Sequence, residues 1–243
     1  ASNLFETSLK STVLKKKFLR QLIIFGEPLV VALVVLILLV VPRKIVSDHS
    51  RLIWRGELTK ASLLELQNMV DRHPQQYNVI QFRNSPGASS SAGIIVDQLE
   101  QLINTHHFDT EVRGTCASAC ATSFLLGETR TLLPGLRNEP TYLMLHATRQ
   151  VTTREVDYGN TEKTHRKIAA RSEGKFSLAL LNRIFDDKKG TADGELYIFR
   201  DPHDSALGPQ HVFICSTAVY AVMDTCEPVA GVTPQSLGIE VMP

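Results

Sequence analysis

A layered α/β domain preceded by a single apolar helix is the fold class this sequence predicts, on three observations. Short apolar runs of strand length alternate with segments of helical periodicity from Arg51 onward. Leu22 to Val41 is an almost unbroken apolar run of 20 residues. The remaining chain, in a sequence of 243 residues with 43% hydrophobic content, is long enough to bury one good-sized core.

Residues 1–21 form a basic segment, and Leu9 to Gln21 could make a short interfacial helix against anionic lipid. The apolar run 22–41 would rise about 30 Å as a helix, enough to cross a hydrocarbon core. Glu27 and Pro28 interrupt it in its first third, where a carboxylate can snorkel to the interface and a proline can kink the entry. The alternatives are a buried core helix and a secretory signal peptide. No small-x-small cleavage site follows the run, only Val41-Pro-Arg-Lys, which favours an uncleaved anchor. Lys10, Lys15, Lys16, Lys17 and Arg20 precede it, whereas the basic residues after it are mixed with Asp48. That bias points the N-terminus inward and puts the α/β domain outside the cytoplasm, in the periplasm of a Gram-negative cell. Residues 42–50 read as a linker and 51–243 as the domain.

Within the domain, Arg51 to Leu58 reads as a strand and Ala61 to Val70 as an amphipathic helix. Tyr77 to Phe82 is a buried strand that runs into Arg83-Asn-Ser-Pro-Gly-Ala-Ser before a helix over Ile94 to Ile103. Thr110 to Arg113 is a third strand, broken by Gly114, and Ala117 to Leu126 a small-residue helix. Tyr142 to His146 is a strand, Thr161 to Phe185 one or two helices, and Glu195 to Phe199 and Val212 to Val222 further strands.

The segment Gly114-Thr-Cys-Ala-Ser-Ala-Cys120 carries the chemistry. It drops Ser118 onto a strand-to-helix junction, where unpaired backbone N–H groups favour negative charge on a substrate oxygen. A serine needs a base to become nucleophilic, and His146 ends an apolar strand 28 residues downstream. The bland reading is an N-cap serine and a structural histidine. Upstream, Pro86 and Gly87 make a sharp turn whose N–H groups could line an oxyanion hole.

Three blocks in this order resemble the ClpP-type serine peptidases of the ClpP/crotonase fold. Asn84-Ser-Pro-Gly-Ala-Ser is similar to that family's Asn-Ser-Pro-Gly-Gly turn, followed by Ala92-Gly93 at the next helix start. Ala117-Ser118-Ala119 resembles the nucleophile segment and Leu143-Met-Leu-His146 the strand ending in the histidine. Thr233-Pro-Gln-Ser-Leu-Gly-Ile-Glu resembles the closing signature, so the likeness runs from about Arg51 to the C-terminus. It is nearest to membrane-anchored or periplasmic ClpP-like proteins whose serine is flanked by cysteines.

The resemblance implies Ser118 as nucleophile, His146 as base, and N–H donors from Ala119 and the Gly87-Ala88 turn. Ala88 replaces the turn's second glycine; if that position needs φ > 0, its methyl group costs on the order of 1 kcal/mol. Asp193 is the favoured acid, with Asp186, Asp187 and Glu195 close behind. The helices over Thr161 to Phe185 fall where the family carries an assembly helix, so they make either an oligomer contact or a solvated face.

Cys215 and Cys226 bracket a short stretch and are a disulfide candidate in an exported domain. Cys116 and Cys120 are spaced i,i+4, which suits a bridge poorly on a regular helix; two small apolar core residues is the default, although a helix start can allow one. Cys-x3-Cys beside His106-His107 does not supply a tetrahedral zinc set, and no metal or cofactor is called for. A net charge of +1, with scattered basic residues, gives no reason to expect nucleic acid.

Two functions fit. One is a membrane-anchored serine hydrolase of ClpP type, cutting peptides or extended protein segments outside the cytoplasm. The other is a catalytically weak or silent ClpP-like subunit packed against a larger membrane complex, which Ala88, the unsettled acid and Glu27 favour.

Overall fold

Apolar residues alternating along Arg51–Arg55 (β2), Val79–Ser85 (β3) and Asp109–Ala117 (β4) put Leu52 and Trp54, Ile80 and Phe82, and Val112 on one buried face. The structure, a computed structural model, describes residues 44–150, 152–153, 155–185, 194–215 and 226–243. These three strands pair in parallel through helical crossovers, Lys60–Arg72 (α1) between β2 and β3 and Ala92–His106 (α2) between β3 and β4. Leu63, Leu66 and Val70 of α1 and Ile95, Leu99 and Ile103 of α2 recur at helical spacing and close over the buried face. Thr59 and Ser62 form a reciprocal capping box that starts α1.

Ile45–Asp48 (β1) pairs antiparallel with β2, so part of the stretch 42–50 read as a linker is an edge strand. Ile45, only 1% exposed, is what pulls it onto the core.

Gly114 does not break its strand; it makes a bulge. Arg83 aligns with Arg113 but Ser85 with Cys116, one extra residue on β4, and Gly114 takes φ 83° there. Before the bulge, Thr110 to Val112 pair with Arg130–Leu132 (β5); after it, Thr115 to Ala117 pair with Tyr142–His146 (β6). The short Ala119–Leu125 (α3) follows β4, and Glu240–Val241 (β10) pairs with β5.

Beyond β6 the sheet turns antiparallel, through Glu195–His203 (β7), Gln210–Cys215 (β8) and Glu227–Pro228 (β9). Ten strands make this one sheet among the described residues. Tyr142, Tyr197, Phe199 and Phe213 form an aromatic layer on its face away from the helices. The disulfide Cys215–Cys226 packs against that layer, with a Cα–Cα distance of 4.3 Å. Tyr158–Arg171 (α4) and Leu178–Leu181 (α5), then a 3-10 turn over Asn182–Phe185, fill the polar stretch before β7.

The apolar run 22–41 lies outside the described residues; among those described, no helix is long and apolar enough to cross a membrane. Asp186, Asp187, Asp193 and the end of the stretch 212–222 lie outside them as well.

Candidate functional site

Ser118 sits between β4 and α3 with φ 55° and ψ −123°, a conformation that costs a non-glycine residue about 1–3 kcal/mol unless its surroundings hold it. They do hold it. Its N–H donates to the carbonyl of Met144 on β6 (2.7 Å), and its own carbonyl accepts from the N–H of Thr122 (3.0 Å). Its side chain makes no capping bond to α3, so the N-cap explanation of this serine does not apply.

Cys116 and Cys120 straddle Ser118 and are joined, with a Cα–Cα distance of 5.3 Å. This corrects the default of two unbridged core cysteines. The i,i+4 objection assumes one continuous helix, but Cys116 is the penultimate residue of β4 and Cys120 lies in the first turn of α3. The reversal at Ser118 folds one onto the other, and both are 0% exposed.

The β3–α2 turn lies directly on this elbow. A Cβ at Gly87 would stand 2.6 Å from the carbonyl oxygen of Ala117, 3.0 Å from Ser118 Cβ and 3.2 Å from the Ala119 nitrogen. With φ 94° as well, Gly87 is required twice over. Ala88 is not among the positive-φ residues, so the glycine-to-alanine departure at that position carries no backbone strain. The Gly87 N–H donates to Ser85 Oγ at 3.3 Å. Among the described residues, the N–H groups of Ala88 and Ala119 have no acceptor.

Asn84 is a residue that the sequence motif contains but whose task only the fold reveals. Its Oδ1 accepts from the N–H of Thr115 (3.0 Å), and its Nδ2 donates to Glu139 (3.2 Å). A Cβ on Gly114 would fall 1.9 Å from Asn84 Oδ1. The bulge glycine thus makes room for the side chain that pins the end of β3 to β4.

His146 ends β6, two residues beyond Met144, about 7 Å of strand rise from the residue that holds the Ser118 N–H. Its Nδ1 donates to the carbonyl of Ala147 at 2.7 Å. That bond selects the tautomer with Nε2 unprotonated and able to take a proton. No hydrogen bond joins Ser118 Oγ to His146, and no carboxylate among the described residues bonds the ring. Glu195 faces His146 across the β6–β7 ladder, yet its Oε2 accepts from the Tyr197 hydroxyl at 2.7 Å. The favoured acid, Asp193, falls outside the described residues.

No family model and no curated protein matches the chain. Among solved structures, a ClpP1 mutant from Listeria monocytogenes matches with 18% identity over 55% of this chain and 77% of that one, at a TM-score of 0.42. The ClpP protease catalytic domain from Plasmodium falciparum matches with 16% identity over 56% of this chain and 72% of that one, at a TM-score of 0.40. Both are similarities of partial extent, and the residues around Ser118 stand on their own geometry.

Proposed function

We propose that the chain is a ClpP-type serine hydrolase, a peptidase, with Ser118 as nucleophile and His146 as base. The observation that carries this is the elbow: a non-glycine residue at φ 55°, uncapped, under a glycine turn that leaves no room for a side chain. Such conformations cluster where a reactive group must be presented. In the reaction, Ser118 Oγ attacks the peptide carbonyl and its proton passes to His146 Nε2, which hands it to the leaving amine. Water then opens the acyl-enzyme by the reverse proton path. The N–H groups of Ala88 and Ala119, open to an acceptor, are suited to the developing oxyanion. The Ala147 carbonyl does the part of the acid's work that fixes the imidazole tautomer; Asp193 remains the proposed carboxylate.

The same reading anchors the domain through the apolar run 22–41 and places it outside the cytoplasm. Its support is the cysteines: all four are joined in pairs, as oxidising compartments permit. Fluorophosphonate labelling of the detergent-solubilised chain tests the chemistry. Wild type should label and Ser118→Ala should not; an unlabelled wild type overturns the hydrolase.

A second reading has its own observation. Ser118 Oγ and His146 share no hydrogen bond, so the pair has to tighten before it can act as a dyad. A chain in which that tightening never occurs is a silent accessory subunit, for which the same labelling comes out negative.

A further inference from the structure

On the face of the parallel sheet turned away from the helices, the strand register places three arginines side by side. Arg55 aligns with Arg83 across β2–β3, and Arg83 with Arg113 across β3–β4. Neighbouring strands are about 4.8 Å apart, so the row is tight. Each arginine follows a fully buried core residue, Trp54, Phe82 and Val112 respectively, which puts all three on the opposite face. Like charges directly opposite one another on a sheet are destabilising, and guanidinium groups cannot escape by losing a proton.

The carboxylates nearby do not relieve the row. Glu111 is held by Arg51, with Nε to its oxygens at 3.2 and 3.0 Å and Nη2 at 3.1 Å, and by Gln81 Nε2 at 2.6 Å. Gln81 Oε1 accepts from Arg83 Nε, the one side-chain bond that reaches the row among the described residues. Asp48, the other acid in electrostatic range, bonds its neighbour His49 at 2.8 Å. Arg113 Nε is buried with no partner among the described residues. Burial and the charges of Arg113 and Arg55 all push the pKa of Arg83 down, against weaker support from Asp48 and Glu111. Among the described residues, four guanidinium groups therefore share two carboxylates on this face, while Arg55 stays exposed and Arg83 and Arg113 half-exposed.

We propose that the row Arg55, Arg83 and Arg113 binds the oxyanion of an acidic ligand, a phosphate or a carboxylate. Adjacent guanidinium forks present parallel N–H pairs that match either group bidentately, and the excess positive charge on this face is what such a ligand neutralises. The site is separate from the elbow: Arg113 precedes Ser118 by five residues, about 16 Å along an extended strand.

The test is calorimetric titration of the solubilised full chain at low salt with two probes, inorganic pyrophosphate and a hexaglutamate peptide. Saturable binding of one probe, weakened about tenfold in Arg83→Gln/Arg113→Gln with fluorophosphonate labelling unchanged, supports the site. Which probe binds tells the phosphate source from the peptide source. Both substitutions relieve repulsion, so the double variant should melt no lower than wild type without anion, and the anion-induced rise in Tm should vanish in it. If it does not fold, the exposed Arg55→Gln serves instead and should weaken binding severalfold. Absence of binding by either probe overturns the proposal. So does binding that survives the double variant, or that falls equally in the control Arg166→Gln on α4. Labelling at Ser118 is read separately, so failure of the anion site and failure of the hydrolase are distinguishable.

Discussion

The end of β4 and the end of β6 supply the two side chains of the candidate site, and they are held in different ways. Ser118 is fixed by its backbone: a bond to Met144, a bond from Thr122, a glycine turn in van der Waals contact, the Asn84 pin and a disulfide across the turn. His146 is fixed by its ladder with β7 and by one ring bond to the carbonyl next to it. The nucleophile's place is over-determined, whereas the ring of the base is held by that single bond. That division suits a site that closes only around substrate.

The comparison is broken most severely by filling the space above the elbow. Gly87→Ala forces a methyl group against the Ala117 carbonyl and Ser118, and the displacement, of about an ångström, should cut the fluorophosphonate labelling rate about a hundredfold. It should also lower stability by about 1–3 kcal/mol, read by chemical denaturation. Normal labelling of the Gly87→Ala variant would mean that the turn does not shape the site.

The two disulfides sharpen the same contrast. Cys215–Cys226 closes the longer loop, with a sequence separation of 11 against 4, so Cys215→Ala/Cys226→Ala should cost more stability, about 2–3 kcal/mol, and leave labelling close to wild type. Cys116→Ala/Cys120→Ala should cost about 1 kcal/mol less than that and slow labelling about tenfold, because the bridge spans Ser118. Equal effects from both pairs would remove the functional distinction.

A smaller effect is expected at Asn84. Asn84→Ala leaves the Thr115 N–H at the bulge without its acceptor and puts alanine at φ 46°, a loss of about 1–2 kcal/mol with severalfold slower labelling.

The smallest effect is one of pH. His165 on α4 is 3% exposed and bonds Asn182; burial pushes its pKa below the ordinary 6.5. Its contribution is therefore complete above that ordinary value and is lost as pH falls toward the lowered folded value, since the unfolded chain takes up the proton first. Urea midpoints should decline from pH 7 to pH 5 in wild type and decline less in His165→Gln. An identical slope in both would assign the pH dependence to other groups.

Much of the fold was readable along the chain. The parallel strands and their helices announce themselves because each buries one face, so Ile80 and Phe82, or Ile95, Leu99 and Ile103, repeat at the period of their element. Gly114 misled, since a glycine inside a strand reads as a stop and a bulge requires knowing what lies opposite. The linker at 42–50 misled for a related reason: four residues of edge strand carry too little pattern to be seen, and only pairing with β2 defines them.

The candidate site divides along the same line. Residue order by itself determines that Ser118 follows a strand and precedes a helix, that a Pro-Gly turn follows the strand before it, and that His146 ends another strand, because these are local patterns of propensity and punctuation. Tertiary structure decides that glycine is needed at 87 and not at 88, that Cys116 reaches Cys120 around a turn, that the Nδ1 of His146 is occupied by a carbonyl, and that three arginines stand in one row. Each of these depends on distances between elements set by packing and strand register, and such distances leave no periodic trace in the chain.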